Sequence, residues 1–210
     1  MMDVAKHRWR RPLGAVVAVA TLLAAAACYY PARFDAEIEI SRIGYYKITY
    51  DGYIADVPLF DGLRKREIAA ADETRKAQSI VTDLKRDRNT KEASYVRQGL
   101  FRINWVDEGD LTVAKLVTFL RRNENLLSIK YIQTTGQITV QAAQIPPSDI
   151  QKLAQIGLVM DGQLRVKTEG RVVDHNATRV VESALSREKT YVWDMKGIPT
   201  SSPRLVMTLR

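Results

Sequence analysis

The chain has 210 residues, of which 32 are lysine or arginine and 24 are aspartate or glutamate, giving a formal net charge of +8. Its single cysteine cannot form a disulfide within the chain, and with only two histidines it falls short of the usual zinc ligand sets. Residues 1–27 hold four of the basic residues and one acid, so the remainder carries 28 basic against 23 acidic side chains. This moderate excess does not indicate a nucleic-acid partner, and we expect no cofactor and no bound metal.

The first segment with a clear pattern is the apolar run of residues 13–28, LGAVVAVATLLAAAAC. Four cationic side chains precede it within residues 6–11, and its last part, residues 24–27, consists of alanine. A cationic start, an apolar core and a small-residue cleavage site are the three parts of a secretory signal peptide. The sequence therefore predicts that the chain is exported.

Residues 22–28, LLAAAAC, resemble the lipobox of bacterial lipoproteins, with Ala26 and Ala27 in front of Cys28. This resemblance implies cleavage between Ala27 and Cys28, a diacylglycerol on the Cys28 thiol, and a further acyl chain such as palmitate on the new amino group. Several acyl chains hold a protein lastingly on a membrane, whereas one chain binds reversibly. The implied location is the bacterial cell envelope, anchored to a membrane and facing the periplasm or the cell exterior. Because Tyr29 stands where aspartate would retain such a lipoprotein in the inner membrane, the outer membrane is favoured in a two-membrane host.

Two other interpretations of this segment stay open. Residues 13–30 are long enough to span a hydrocarbon core of ~30 Å as an uncleaved signal anchor. Trp9 and the pair Tyr29-Tyr30 would then be interfacial aromatic residues of a single-pass membrane protein. Alternatively, ordinary cleavage would release a soluble protein with Cys28 as a free thiol. A lone cysteine at the end of the apolar run favours the lipoprotein interpretation.

The lipoprotein interpretation divides the chain into a signal peptide (1–27), a lipidated tether (28–33) and a single domain (34–210). At the start of this domain, residues 34–53 alternate between apolar and polar side chains, which is the period of a strand with one wet face. We expect a meander or a hairpin there, with a break at Ser41-Arg42 or at Gly44 and a turn at residues 51–52.

Three helices are predicted further along the chain. The charged residues 63–88 carry a thin apolar stripe, which is typical of a surface helix. After Asp110 as the cap, four apolar residues have helical spacing: Val113, Leu116, Val117 and Leu120. Residues 147–157 form the third helix, with Ser148 and Gln151 at capping-box spacing and Gly157 as the stop.

The other segments have strand composition. They comprise residues 95–106, a hairpin of residues 127–134 and 137–143, and several strands within residues 158–210. The order of these elements predicts an α+β fold, with a mostly antiparallel sheet and about three helices packed on it, after the N-terminal apolar helix.

Candidate catalytic residues are few. His175 is the one histidine after the signal segment, and no nucleophile elbow accompanies it, so its Asp-His-Asn context indicates a polar turn. Asp107, Glu108 and Asp110 stand just before a predicted helix, where carboxylates cap the helix and interact with its dipole. We therefore predict no catalytic residue and a protein that is not an enzyme.

Two further segments, GRVVDHNA at 170–177 and TYVWD at 190–194, resemble a part of the bacterial envelope lipoproteins of the LppM type. The resemblance covers residues 158–196 and implies an envelope domain that binds lipid or glycolipid. It assigns no catalytic residue.

Three hypotheses arise for the function. The preferred one is a lipid-anchored envelope protein that binds a partner protein or has a structural role. The second is a carrier for lipid or glycolipid, which a continuous apolar cavity in the fold would favour over the first. The third is a carboxylate-based hydrolase, which would need two carboxylates that converge in one cleft.

Overall fold

A computed structural model describes residues 29–120, 126–199 and 201–209. The predicted signal peptide, its cleavage position between Ala27 and Cys28, and Cys28 as the lipidation site lie outside the described residues. Among the residues that are described, no helix has both the length and the apolar character needed to cross a bilayer.

The described ranges contain four helices and twelve strands. In chain order they are β1 (Tyr29–Ile40), β2 (Tyr45–Asp56), α1 (Val57–Arg64), α2 (Ala70–Lys85), β3 (Thr90–Arg97), β4 (Leu100–Asp110), α3 (Leu111–Ala114), β5 (Leu116–Thr118), β6 (Leu127–Ile132), β7 (Gln137–Ala142), α4 (Pro147–Ile156), β8 (Met160–Thr168), β9 (Arg171–His175), β10 (Arg179–Glu182), β11 (Lys189–Gly197) and β12 (Arg204–Thr208).

The strands form two sheets. The larger sheet has seven strands in the order β10-β11-β8-β1-β2-β4-β3, and the smaller has five in the order β5-β6-β7-β12-β9. Every neighbouring pair is antiparallel except β1 and β8, which run parallel from Arg33 opposite Asp161 to Ile40 opposite Thr168. The prediction of an α+β fold with mostly antiparallel strands is confirmed, with two sheets in place of one.

The core lies between the facing sheets. In β1, the side chains of Ala36, Ile38 and Ile40 are buried, and the strand alternates as its sequence predicts. Three aromatic rings join the two inner faces. The ring of Phe119, which follows β5, stacks on Tyr50 of β2 at 4.4 Å between centroids and meets Trp105 of β4 edge-on at 5.2 Å. Facing sheets with interdigitated aromatic side chains bury a large apolar area.

Two of the helices accompany the β3–β4 side of the larger sheet. In α1, the Asp56 carboxylate accepts the N–H of Leu59 at 2.9 Å, which caps the helix. In α2, Ala77 and Leu84 are buried, and this helix packs on β3. The charged segment that the sequence predicts as one helix is therefore two helices, separated by residues 65–69.

Two local predictions at the start of the domain differ from the structure. Residues 29–33, expected as a tether, are the first five residues of β1. The turn expected at residues 51–52 is wrong, because both residues pair with β1 inside β2. Glycine is needed at position 52 for another reason: a Cβ there would lie 2.6 Å from the Cα of Phe34.

The helix predicted after Asp110 is also wrong. Asp110 does cap a helix, accepting the N–H of Thr112 at 2.8 Å, but this helix has one turn and ends at Lys115, whose φ is +60°. The chain then enters β5, in which Val117 pairs with Ile129. Val113, expected in the core, is 78% exposed.

The remaining predictions hold in outline, except that the segment 95–106 is not one strand: a turn at Gln98 and Gly99 divides it between β3 and β4. The hairpin β6–β7 is confirmed, and so are α4, its left-handed stop at Gly157 (φ +73°) and the strands after residue 158. The capping box is wrong, because α4 begins after Pro146 and no side chain caps its first turn. Pro147 is the first residue of the helix, a position that suits proline because its fixed φ matches a helical turn.

Candidate functional site

A cavity of about 480 Å³ lies between the two sheets, at the end of the fold where β1 begins. The larger sheet contributes Phe34, Ala36 and Leu164 to its wall, and the smaller-sheet side contributes Phe119 and Leu127. These side chains come from segments far apart in sequence, and all of them are apolar. The space between the sheets is therefore incompletely filled at this end, and its inner wall is apolar.

Helix α4 covers the cavity. Its side chains Leu153 and Ile156 are buried, and Leu153 lines the cavity together with residues 142–146, which lead into the helix. Among the described residues, the only charged side chains on the cavity wall, Asp149 and Lys152, lie on α4 and are exposed. Charge is thus confined to the rim, on the helix that covers the opening.

Tyr30 provides an unusual polar group in this apolar wall. The residue is only 5% exposed, and its hydroxyl has no hydrogen-bond partner among the described residues. Burial raises the pKa of Tyr30 to about 12, so the phenol keeps its proton at neutral pH. An unpaired buried hydroxyl costs about 1–3 kcal/mol.

Tyr29, beside it, also lines the cavity. Burial, and secondarily the charges of Asp56 and Asp83, raise the pKa of Tyr29 to about 12, so this side chain is neutral as well. In contrast to Tyr30, the hydroxyl of Tyr50 is satisfied, since it donates to the carbonyl of Tyr53 at 3.1 Å. Tyr29 directly follows Cys28 in the sequence.

The polar residues singled out in the sequence lie away from this cavity. The Nδ1 atom of His175 accepts the N–H of Ala177 at 3.2 Å, and its ring meets Tyr191 edge-on at 4.8 Å. Asp107 accepts the hydroxyl of Tyr46 at 3.1 Å, and Asp110 caps α3. In the described parts of the chain, no three histidine, cysteine or acidic side chains cluster in a way that could hold a metal.

The segments 170–177 and 190–194 meet in the fold through Asn176 and Trp193. Neither residue lines the cavity, so this pair joins elements of the two sheets instead of contacting a ligand there.

Sequence reasoning does not find the cavity. The pattern indicates Phe34 as the start of the domain and Leu153 as a core position of a helix, and neither interpretation indicates a ligand. It indicates Tyr29 and Tyr30 as interfacial or tether residues. The one available sequence signal for the cavity is the pair of tyrosines directly after Cys28. They can be assigned to the cavity wall only once the position of β1 in the fold is known.

Comparisons with known proteins add little. No protein-family model matches the chain, and no curated protein matches it. Among solved structures, the chain is similar to the NMR structure of the folded domain of LppM from Mycobacterium tuberculosis, with a TM-score of 0.44 and 12% sequence identity. The alignment covers 86% of this chain and 93% of that chain. A likeness of this degree assigns neither a family nor a function, so a functional assignment has to rest on the cavity.

Proposed function

We propose that this protein is a lipid-anchored protein of the bacterial cell envelope, without enzymatic activity, whose domain binds a lipid acyl chain in the cavity between its sheets. The observation that carries the proposal is the apolar cavity of about 480 Å³ beside Tyr29 and Tyr30. Its volume falls within the range of about 300–1,000 Å³ that is usual for small-molecule pockets. Each methylene that leaves water for such a wall contributes about 0.8 kcal/mol.

The polar groups of the cavity decide which lipid binds. A chain that leaves a bilayer exchanges one apolar environment for another, so its methylenes discriminate little between lipids. Asp149 and Lys152 on the rim of α4 are placed to contact the polar head group. A lipid or glycolipid with oxygen functions next to its chain fits these groups better than a plain hydrocarbon.

The predicted anchor supports the same function. Acyl chains on Cys28 would hold the end of the cavity that Tyr29 lines close to a membrane surface. A lipid could then move between membrane and cavity without crossing water. From the sequence alone, a partner-binding or structural role is preferred to a lipid carrier. The apolar cavity supports the lipid carrier instead.

Quenching of tryptophan fluorescence tests this function on the full chain. Trp105 packs against Phe119, a residue of the cavity wall, so a bromine atom on a bound chain would quench its indole. The chain carries Trp9→Phe to remove the indole outside the described residues and is held in uncharged detergent micelles. We expect a mid-chain brominated fatty acid to quench the fluorescence saturably, and the unbrominated acid to compete with it.

A matched pair of variants locates the bound chain. Ala142 lines the cavity on the same face of β7 as the buried Ile138 and Val140, whereas Ala154 on α4 is exposed. Ala142→Phe should weaken binding about tenfold or more, since overpacking a filled cavity costs about 1–3 kcal/mol. Ala154→Phe should bind as the parent does. Equal quenching in both variants, or none in the parent, would refute the carrier function.

A further inference from the structure

A second cleft, of about 160 Å³, lies at the opposite end of the fold. Strands β1 and β8 run side by side from the cavity, where Tyr29 and Met160 stand, to this cleft. The cleft is lined by residues that follow these two strands, by the start of β9, the end of β12 and the β10–β11 loop: Arg42, Glu169, Gly170, Arg171, Arg187 and Thr208. It therefore shares no residue with the lipid cavity.

Three arginines from three different segments converge on this cleft. Arg42 belongs to the β1–β2 turn, Arg171 begins β9, and Arg187 lies in the β10–β11 loop. None of them makes a hydrogen bond or an ion pair through its side chain with another described residue, and one carboxylate, that of Glu169, lines the cleft with them. Each guanidinium presents five N–H donors in a planar fork that matches the oxygens of a phosphate.

The turn that carries Arg171 is held rigidly beside the end of β1. Thr168 is 2% exposed; its hydroxyl donates to the carbonyl of Ile40 at 2.7 Å and accepts the N–H of Gly170 at 2.9 Å. Gly170 packs so closely on Met207 that a Cβ would collide with the methionine methyl group. This arrangement holds the backbone at Gly170 beside the end of β1, so the segments that carry Arg171 and Arg42 lie next to each other.

Exposed apolar side chains flank the arginines on two of the three segments. Ile43, next to Arg42, is 66% exposed, and Leu185, two residues before Arg187, is fully exposed. Cations that alternate with exposed aliphatic side chains are typical of surfaces that contact lipid head groups, where the apolar side chains enter the interface and the cations bind phosphates.

We propose that Arg42, Arg171 and Arg187 form a binding site for a phosphate group, and that Ile43 and Leu185 direct this site to the phosphate of a lipid head group. A lipid head group and a free phosphate would bind through the same chemistry, in which the phosphate oxygens accept hydrogen bonds from the guanidinium groups. The site goes beyond the acyl-chain cavity and does not depend on it, because the two lie at opposite ends of β1.

Nuclear magnetic resonance of the full chain in uncharged micelles tests the site. The amide signals of Gly170 and Arg171 are followed during separate titrations with inorganic pyrophosphate and with the short-chain lipid dihexanoylphosphatidylglycerol. We expect both probes to shift these signals saturably. Arg171→Gln and Arg42→Gln should each weaken binding of both probes about tenfold, since each removes a charge-assisted pair of hydrogen bonds.

Two controls are needed. The first distinguishes binding at this site from general electrostatic attraction, and the second distinguishes binding of the lipid from binding of the free anion. Arg64→Gln removes the same charge from an exposed arginine on α1 and should leave binding unchanged. The double variant Ile43→Ser, Leu185→Ser should weaken binding of the lipid and not of pyrophosphate. An absence of shifts with either probe, or an equal loss in Arg64→Gln, would overturn the site. Lipid binding that survives the serine variant would overturn its assignment to a head group.

Discussion

Asn176 and Trp193 link the two sheets, because the indole Nε1 of Trp193 donates to the Oδ1 of Asn176 at 2.9 Å. Trp193 belongs to β11 of the larger sheet, whereas the same Oδ1 also accepts the backbone N–H of Arg204, in β12 of the smaller sheet, at 2.7 Å. The Nδ2 of Asn176 donates in turn to the carbonyl of Ser202 at 2.8 Å. The amide side chain of Asn176 thus provides a hydrogen-bond partner for the buried indole of Trp193 and for the backbone at the start of β12.

Replacing this amide should destabilise the fold. Asn176→Ala removes three hydrogen bonds and leaves the indole N–H without its partner, so we expect the free energy of unfolding to fall by about 2 kcal/mol in urea denaturation. Trp193→Phe should cost less on its own, and the double variant should cost less than the sum of the two. Asn104 on β4, whose side chain makes no hydrogen bond with a described residue, provides the control, and Asn104→Ala should stay within about 0.5 kcal/mol. Additive losses at Asn176 and Trp193 would contradict the link.

Phe119 should be among the most sensitive positions of the core. Its ring contacts Tyr50 and Trp105 on the opposite sheet, and it is 2% exposed. Phe119→Ala is expected to lower the free energy of unfolding by about 3–5 kcal/mol, the usual cost of deleting a buried aromatic ring. Tyr45→Ala removes a ring that is 58% exposed and should have little effect. A similar loss in the two variants would mean that Phe119 does not hold the sheets together.

The stability contributed by Asp56 should depend on pH. Burial raises the pKa of Asp56 above its ordinary value of 3.8, although the hydrogen bond from Leu59 and the charge of Lys76 act in the opposite direction. The folded protein therefore binds this proton more tightly than the unfolded chain does. The stability gained from this tighter proton binding is fully present below pH 3.8, and it is lost as the pH rises through the pKa that Asp56 has in the folded protein.

Asp56→Asn tests this direction, because asparagine keeps the oxygen that caps α1 and removes the charge. We expect the variant to be more stable than the parent at neutral pH, with the difference shrinking toward pH 3.8 in a series of urea denaturations. Asp161→Asn changes the net charge equally at an exposed position and controls for general electrostatics. A variant less stable than the parent at neutral pH would show that the charged cap outweighs its burial.

Cys28 carries the predicted anchor. Cys28→Ser removes the thiol that would accept the diacylglycerol, so we expect an unprocessed precursor of all 210 residues in the host membrane. The intact mass of the parent protein should equal residues 28–210 plus two or three acyl chains. A serine variant that is still cut and released in soluble form would refute lipidation, and a parent mass of the full chain would favour the signal anchor.

The sequence predicts those elements whose pattern is local. In β1, Ala36, Ile38 and Ile40 alternate with acidic residues because one face is wet, and this period has no competing interpretation. In α4, a proline start and a glycine stop frame the helix. These signals need no knowledge of what the element packs against.

The segment 111–120 shows where local pattern fails. Its apolar residues satisfy a helical period, yet Val117 and Phe119 also satisfy the period of a strand, and both are buried in that form. Pairing with β6 and the contact of Phe119 with Trp105 decide between the two, and both partners lie outside the segment itself. The cavity escapes prediction for the same reason, since its wall unites residues between Tyr29 and Pro203.

The parallel pair of β1 and β8 constrains the order of folding. Ile40 and Thr168 are joined across 128 residues, so the first strand made by the ribosome waits for more than half of the chain before its second edge is covered. The antiparallel strands β1, β2, β3 and β4 can associate earlier, and we expect closure of the long loop to β8 to be the slow step. Met160, Leu164 and Leu153 reach the cavity only when this step is complete. Until then β1 exposes an unpaired edge, and such an edge is a template for pairing with other chains.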